Sequence, residues 1–221
     1  MNNEFRSSIS ALKQLLQEDL PGSHSHIKMS PGRHIVENGL VDYKKAGVLL
    51  LMYIKNNRIF FPLIRRSEYP GTHSGQISLP GGKSEAGDSS LVETAIRESE
   101  EEIGVAADHI ELLGQLSPLY IPVSNYMVYP SIGIYDKKPV FVIDESEVQE
   151  VIEIDLIGLM RVQKSFFTTN IQGIPSKVPC FAVKKSPPIW GATAMILTEF
   201  IDIIRFIPDF HKYFYNDETG P

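Results

Sequence analysis

The stretch LPGGKSEAGDSSLVETAIRESEEEIGV, residues 79–105, carries the densest pattern of charged and glycine residues in this sequence of 221 residues. Its first part is rich in Gly and Ser and is predicted to be a loop, whereas residues 90–103 have the period of a helix. On a helical wheel Glu98, Glu101 and Glu102 fall within about 100° of arc, so one face of the helix carries three carboxylates.

Three anions near the C-terminal end of a helix oppose its stability, because like charges at this spacing cost roughly 0.2–0.5 kcal/mol per pair and the helix dipole adds to the cost. A divalent cation removes that cost, and oxygen ligands of this kind suit Mg²⁺ or Mn²⁺. A Glu run alone is typical of a solvated helix face. The Gly-Gly pair before the helix and Gly104 after it favour a metal site here. Arg97 is four residues from Glu101, where it can orient a carboxylate.

Residues 97–105, RESEEEIGV, resemble the C-terminal half of the Nudix box, RE-U-x-EE-x-G-U, in which U is a bulky apolar residue. Ser99 stands at an apolar position of that pattern. The usual early acidic position falls on Ser89, and the nearby acids are Asp88 and Glu85. The resemblance implies an α/β protein with a Nudix fold, in which a mixed β-sheet is sandwiched between helices. It also implies hydrolysis of a nucleoside diphosphate linked to another group.

The resemblance further implies individual roles. Glu101 and Glu102 match the family's metal ligands, and Glu98 matches the residue that binds metal or accepts the proton of the attacking water. Arg97 would orient a glutamate. The implied catalytic residues are therefore Arg97, Glu98 and Glu101.

Two further metal contacts are implied by the same family. A backbone carbonyl of the glycine loop points to Gly81 or Gly82. An additional acid often comes from a later loop, and four acids crowd that part of the sequence. They are Asp144, Glu145, Glu147 and Glu150. Glu147, just before a predicted strand, is the best match, although an acidic loop also serves solubility alone.

Upstream, Arg66-Ser67, Gly75 and LPGG at residues 79–82 are similar to the signature R-S-x3-R-x3-G-x3-F-P-G-G of the coenzyme A pyrophosphatase branch of Nudix hydrolases. The second Arg of that signature is Gly71 here, and its Phe is Leu79. The segments YIPVSNYMVYP (residues 120–130) and WGAT (residues 190–193) are also similar to that branch. Five residues are candidates for binding the substrate. They are Arg65, Arg66, His73, Gly82 and Lys83.

This branch implies a metal-dependent pyrophosphohydrolase that cleaves coenzyme A or its thioesters to 3′,5′-ADP and 4′-phosphopantetheine. Hydrolysis of another nucleotide, such as a nucleoside triphosphate, ADP-ribose or a dinucleotide, is the alternative within the same chemistry. A module of this fold that senses a nucleotide without cleaving it is the alternative of another class.

The composition excludes several classes of protein. A net charge of −6 argues against general binding to nucleic acid or an anionic membrane surface. The single cysteine excludes an internal disulfide and a multi-cysteine zinc site. Without a signal-like N-terminus or an apolar run of membrane-spanning length, a cytoplasmic location is expected. An amphipathic N-terminal helix on such a fold is compatible with a homodimer.

The predicted organisation is an N-terminal helix and linker arm over residues 1–40, one Nudix domain over residues 41–210, and a polar tail over residues 211–221. The predicted helices lie at residues 5–20, 90–103 and 192–207. A hairpin joins predicted strands at 47–54 and 58–64, and further strands are predicted at 76–79, 110–119, 127–135, 148–154 and 181–183.

Overall fold

The computed structural model describes residues 3–30, 42–68, 73–171, 173–184, 186–208 and 210. Within these residues the helices are α1 (Asn3–Leu15), α2 (Ser23–His26), α3 (Leu91–Ile103), α4 (Leu156–Arg161) and α5 (Gly191–Ile204). The strands are β1 (Lys44–Lys55), β2 (Arg58–Arg66), β3 (Ile77–Ser78), β4 (Gly81–Lys83), β5 (Ile110–Gln115), β6 (Leu119–Ile121), β7 (Tyr126–Tyr135), β8 (Val148–Asp155), β9 (Lys164–Ile171), β10 (Ile174–Phe181) and β11 (Ile189–Trp190).

A mixed sheet forms the centre of the fold, with the order β3-β2-β1-β7-β5. β1 is parallel to β7 and antiparallel to β2, and β4, β6 and β8 pair with β1, β7 and β2 respectively. The predicted hairpin is confirmed. Asn56 and Asn57 connect its strands with φ values of 51° and 57°, the left-handed geometry that a two-residue hairpin turn requires.

Both faces of this sheet are covered, which explains the nearly continuous apolar run in β1. Leu49 and Leu51 pack in one cluster with Ala95 of α3. Leu50 belongs to a second cluster on the other face, together with Phe200 of α5. The predicted α/β sandwich is therefore confirmed, because alternate residues of a strand point to opposite faces.

The N-terminal residues share the second cluster. Phe5, Ile9 and Leu12 of α1 are buried in it, so the predicted amphipathic helix packs against the sheet domain. The predicted linker at residues 21–39 contains α2, and its residues 31–39 lie outside the described part of the chain. The predicted tail at residues 211–221 also lies outside it.

A second sheet of three strands, in the order β11-β10-β9, was not predicted. Only residues 181–183 of this region were expected to form a strand, and β10 ends at Phe181. The loop expected at residues 67–87 contains β4 as well as the predicted short strand, and the strand expected at residues 110–119 is divided into β5 and the start of β6. No helix of the described residues is long and apolar enough to cross a membrane.

Candidate active site

Helix α3 carries the acidic face, and both of its ends are capped. The Ser90 hydroxyl accepts a hydrogen bond from the Glu93 N–H at 3.2 Å. At the other end Gly104 adopts a left-handed φ of 71°, and its N–H donates to the Glu100 carbonyl. These caps fix where the helix begins and ends, and therefore where its carboxylates lie.

Glu102 is the buried carboxylate of the site, with a side chain only 2% exposed. Its Oε2 accepts a hydrogen bond from the Gly81 N–H at 2.8 Å, and its Oε1 lies 3.6 Å from Arg66 Nη1. Burial is the main cause that raises the pKa of Glu102 to about 7. The Gly81 N–H and Arg66 oppose this shift, whereas the charges of Glu98 and Glu147 add to it. The glycine loop and the helix are thus joined by a carboxylate that is costly to ionise.

Glu98 and Glu101 share the guanidinium of Arg97. Arg97 Nη2 lies 2.9 Å from Glu98 Oε1, and Arg97 Nη1 donates to Glu101 Oε2 at 2.9 Å. The Glu98 side chain is 15% exposed, whereas that of Glu101 is 60% exposed. Burial raises the pKa of Glu98, although the hydrogen bond from Arg97 opposes the shift. The three glutamates predicted to share one face do so, in three different environments.

Asp88 holds Arg97 from the other side, a role that the sequence did not assign. Arg97 Nε donates to Asp88 Oδ1 at 2.9 Å, and Nη2 donates to Asp88 Oδ2 at 3.1 Å. The Thr94 hydroxyl and the Glu85 N–H also donate to Asp88 Oδ2. The Arg97 hydrogen bonds, and then the other donors, hold the pKa of Asp88 well below its usual range. A signal existed in the sequence, since Asp88 is nine residues before Arg97, one step from the usual family spacing.

The acidic loop before β8 approaches the same helix. The Glu147 carbonyl accepts a hydrogen bond from the Ser67 N–H at 2.8 Å, directly after Arg66. The charge of Glu147 contributes to the raised pKa values of both Glu98 and Glu102. The other predicted acids have different partners: Asp144 Oδ1 accepts from Ser146, and Glu150 Oε1 lies 3.6 Å from Arg65 Nη1. Glu145 is exposed.

Glu102 provides the observation that shows whether a divalent cation fits this site. Among the described residues no three His, Cys, Asp or Glu side chains already form a group that could hold a metal ion, and Arg97 contacts both Glu98 and Glu101. Glu102 Oε1, however, is buried without a hydrogen-bond partner, as expected of an atom that awaits a ligand. With its neighbours it offers the oxygen donors that Mg²⁺ and Mn²⁺ prefer. The oxygen donors present therefore fit such a cation, which Glu98, Glu101 and Glu102 would hold.

A cavity of about 720 Å³ begins at the glycine loop. Four of the predicted substrate-binding residues line it, and they are Arg66, His73, Gly82 and Lys83. Gly81 lines it too. Arg65 is not among the described lining residues and lies near Glu68 and Glu150. Gly71 lies outside the described part of the chain. Segments from β6, the start of β7 and the start of α5 form much of the remaining wall.

Residues 44–161 match the family model of the NUDIX domain, which is more than half of the chain. The chain belongs to the Nudix family. This Nudix hydrolase is 31% identical over 186 residues to the uncharacterized Nudix hydrolase NudL of Yersinia pestis, covering 83% of this chain and 86% of the relative. It is 37% identical over 135 residues to NudL of Yersinia enterocolitica, covering 61% and 69% of the two chains.

Solved structures of the family share the fold of this Nudix hydrolase. RenU, a Nudix hydrolase from M. smegmatis, matches with a TM-score of 0.53 at 14% identity, over 75% of this chain and 88% of that one. A MutT/nudix family protein from Enterococcus faecalis matches with a TM-score of 0.51 at 15% identity, over 76% and 64%. Membership of the family makes the protein a hydrolase that acts on phosphoric anhydrides.

Proposed function

We propose that this Nudix hydrolase is a metal-dependent pyrophosphohydrolase that cleaves the diphosphate of coenzyme A or its thioesters to 3′,5′-ADP and (acyl-)4′-phosphopantetheine. The observation that carries the proposal is the cavity beside the glycine loop. Its wall includes residues from YIPVSNYMVYP and WGAT, the two segments whose sequence is similar to the coenzyme A branch. Segments that are distant in sequence thus converge on one ligand-sized space next to the carboxylates.

The cavity offers both kinds of surface that coenzyme A needs. Arg66, His73 and Lys83 bring cationic or hydrogen-bonding groups for phosphates to the lining. Leu119 and Ile121 add apolar surface that suits a pantetheine arm. A substrate with several phosphates and an uncharged arm matches a lining that contains both kinds of residue.

The proposed chemistry divides among the residues of α3. Glu98, Glu101 and Glu102 would hold a Mg²⁺ or Mn²⁺ ion, with Glu147 and the Gly81 carbonyl as further proposed ligands, and such an ion would neutralise phosphate charge and lower the pKa of water. Glu98 accepts the proton of the attacking water, since its raised pKa keeps it a stronger base than an ordinary carboxylate. Arg97 fixes the orientations of Glu98 and Glu101. We expect the enzyme to act in the cytoplasm, with a homodimer compatible with its N-terminal helix.

The substrate assignment is tested with a panel of nucleotides and Mg²⁺ or Mn²⁺, with the products resolved by chromatography. Coenzyme A, acetyl-coenzyme A, ADP-ribose, a dinucleoside polyphosphate and a nucleoside triphosphate form the panel. We expect the highest kcat/KM for coenzyme A or its thioester, with 3′,5′-ADP as one product. If coenzyme A remains intact while another nucleotide is cleaved, the proposed substrate is wrong.

Glu98→Gln separates an enzyme from a nucleotide-sensing module. We expect this variant to lower kcat by about 10²–10⁴-fold, the range for a positioned acid–base group, with an unchanged circular dichroism spectrum. Glu100→Gln, exposed on the same helix, is the matched control and should retain wild-type turnover. Activity of Glu98→Gln within threefold of wild type contradicts the proposed role of Glu98.

A further inference from the structure

Part of the cavity lining comes from residues beyond the NUDIX domain match, which ends at residue 161. These residues include Trp190, Asn170 and Ile171 of the second sheet, together with the first turn of α5. The part of the chain that matches the family model therefore supplies the glycine loop and the carboxylates, while the later part supplies further lining of the cavity.

Trp190 is fixed in this part of the lining by its backbone and its ring. The Trp190 backbone pairs with Cys180 across the β10–β11 ladder, and the preceding Ile189 is fully buried. Phe167 of β9 contacts the indole in a T-shaped arrangement, with ring centroids 5.7 Å apart. Such a contact engages at most one face of the indole, and the half-buried ring lines the cavity.

A short path connects Trp190 to the glycine loop. The hydroxyl of Thr193, three residues after Trp190, donates to the Ile77 carbonyl at 3.0 Å. Ile77 begins β3, and Gly81 follows four residues later, a span of at most about 13 Å of chain. The indole and the loop that meets Glu102 are thus placed within one substrate's reach of each other.

We infer that Trp190 is a substrate-binding residue that stacks against the nucleobase of the nucleotide; the identity of that nucleotide rests on the proposed function. A base is planar and gains most from a flat aromatic face, whereas a flexible pantetheine arm requires only an apolar surface. The two tyrosines of the described lining also have contacts of their own, and each offers a smaller ring than the indole. Tyr126 has the Lys44 ammonium over its ring, and the Tyr120 hydroxyl donates to Asn125 Oδ1 while its ring contacts Tyr43.

The protein contains one tryptophan, so its indole fluorescence reports on Trp190 alone. The wild-type protein is titrated without metal, with excitation at the red edge of the indole band where adenine does not absorb. We expect 3′,5′-ADP to quench the emission saturably, because a stacked purine quenches indole. 4′-Phosphopantetheine at the same concentrations should leave it unchanged. Quenching by phosphopantetheine and not by 3′,5′-ADP overturns the inference.

Kinetics of Trp190→Ala provide the second measurement. Loss of the stacking surface should raise KM for coenzyme A by about 5- to 100-fold and change kcat by less than about threefold, and Trp190→Phe should recover much of the loss. Phe166→Ala is the matched control, since Phe166 lies exposed on the same sheet and does not line the cavity. Equal KM values for wild type and a folded Trp190→Ala contradict the inference.

These outcomes distinguish the two proposals. Quenching by 3′,5′-ADP in a protein that leaves coenzyme A intact supports the contact between Trp190 and the nucleobase and contradicts the proposed substrate. Hydrolysis of coenzyme A without quenching by 3′,5′-ADP supports the proposed substrate and contradicts the contact between Trp190 and the nucleobase.

Discussion

Gly82 lies directly against Glu98: a Cβ atom at residue 82 would come within 2.0 Å of Glu98 Oε2. The neighbouring Gly81 N–H donates to Glu102, so two successive residues of the loop contact two glutamates of α3. A side chain at this point of the loop would therefore force the Glu98 carboxylate to move, so the glycine allows the carboxylate to lie where it does.

Gly82→Ala should lower kcat by about 10²-fold, because Glu98 must move away from the added methyl group and catalytic geometry is sensitive to shifts of about 1 Å. Steady-state kinetics with the best substrate of the panel measure the effect. Gly87→Ala is the matched control in the same segment, since a Cβ at residue 87 meets nothing within 4 Å. Equal activity in the two variants would show that Glu98 does not need its present position.

Asp88→Ala should lower kcat/KM by about 10- to 100-fold, because Arg97 loses the carboxylate that holds its guanidinium toward Glu98 and Glu101. Since Arg97 holds the Asp88 pKa well below its usual range, Asp88 is ionised throughout the neutral range and the loss should not depend on pH there. Glu85→Ala, in which only an exposed side chain is lost, is the control. An unchanged kcat/KM in Asp88→Ala contradicts the positioning role.

The parts of this site that the sequence predicts are the local ones. The helical period and the carboxylate face of α3 follow from residues that are close together along the chain, and so do the two strands of the hairpin. The role of Asp88 depends on how the loop returns to the helix, and its spacing from Arg97, one residue longer than the usual family spacing, was not enough to assign it. Arg65 and Arg66 could not be separated, because the register of β2 against β8 shifts between them and only Arg66 lines the cavity.

The second sheet was missed for a related reason. β9 alternates exposed and half-buried residues, many of them polar, and β10 contains Pro175 and Pro179, which favour edge strands and weaken a strand prediction. Its stability comes from long-range packing, as in the contact between Phe167 and Trp190. The surface that we assign to the nucleobase is therefore the part of the site that local patterns describe least.

Glu102 should make the metal-free protein less stable as the pH rises. Its pKa is about 7 in the folded protein and 4.5 as the ordinary value, so the folded state binds the proton more tightly. The resulting stabilisation is fully present below about pH 4.5 and is lost as the pH rises through 7, with a magnitude of at most about 3 kcal/mol. In EDTA, Glu102→Gln should therefore be more stable than wild type by about 1–3 kcal/mol at high pH and nearly equal to it at low pH.

Denaturant unfolding of both proteins at two pH values, on either side of the folded pKa, measures this difference. Glu100→Gln, exposed on the same helix, should show the pH dependence of the wild type. Added Mg²⁺ should stabilise the wild type and not Glu102→Gln, because a ligand that binds only the folded state shifts the unfolding equilibrium. If the free energy of unfolding depends on pH in the same way for wild type and Glu102→Gln, ionisation of the buried carboxyl does not destabilise the protein and the prediction is wrong.

Glu199 should be the residue that fixes the N-terminal segment on α5. Its side chain is fully buried, with 0% exposure. Oε1 accepts hydrogen bonds from the Gly22 N–H at 3.0 Å and the Ser117 N–H at 3.3 Å. Oε2 lies 2.8 Å from His26 Nε2. Glu199→Ala leaves all three groups without this partner in the interior. A buried hydrogen-bonding group left without its partner costs about 1–3 kcal/mol, so the loss of three such contacts costs at least about 3 kcal/mol.

The free energy of unfolding of Glu199→Ala should accordingly fall by at least about 3 kcal/mol, read from the denaturant midpoint at an unchanged slope. Glu199→Gln retains an acceptor for the two backbone N–H groups and should lose less. Ser30, at the end of the same segment, lines the cavity. Loss of the Glu199 contacts should therefore also raise KM for the substrate. A loss below about 1 kcal/mol in Glu199→Ala would mean that the other contacts hold the segment without this network. Those contacts include the buried Phe5, Ile9 and Leu12 and the Asp202 carboxylate, which binds Ser25 and Lys28.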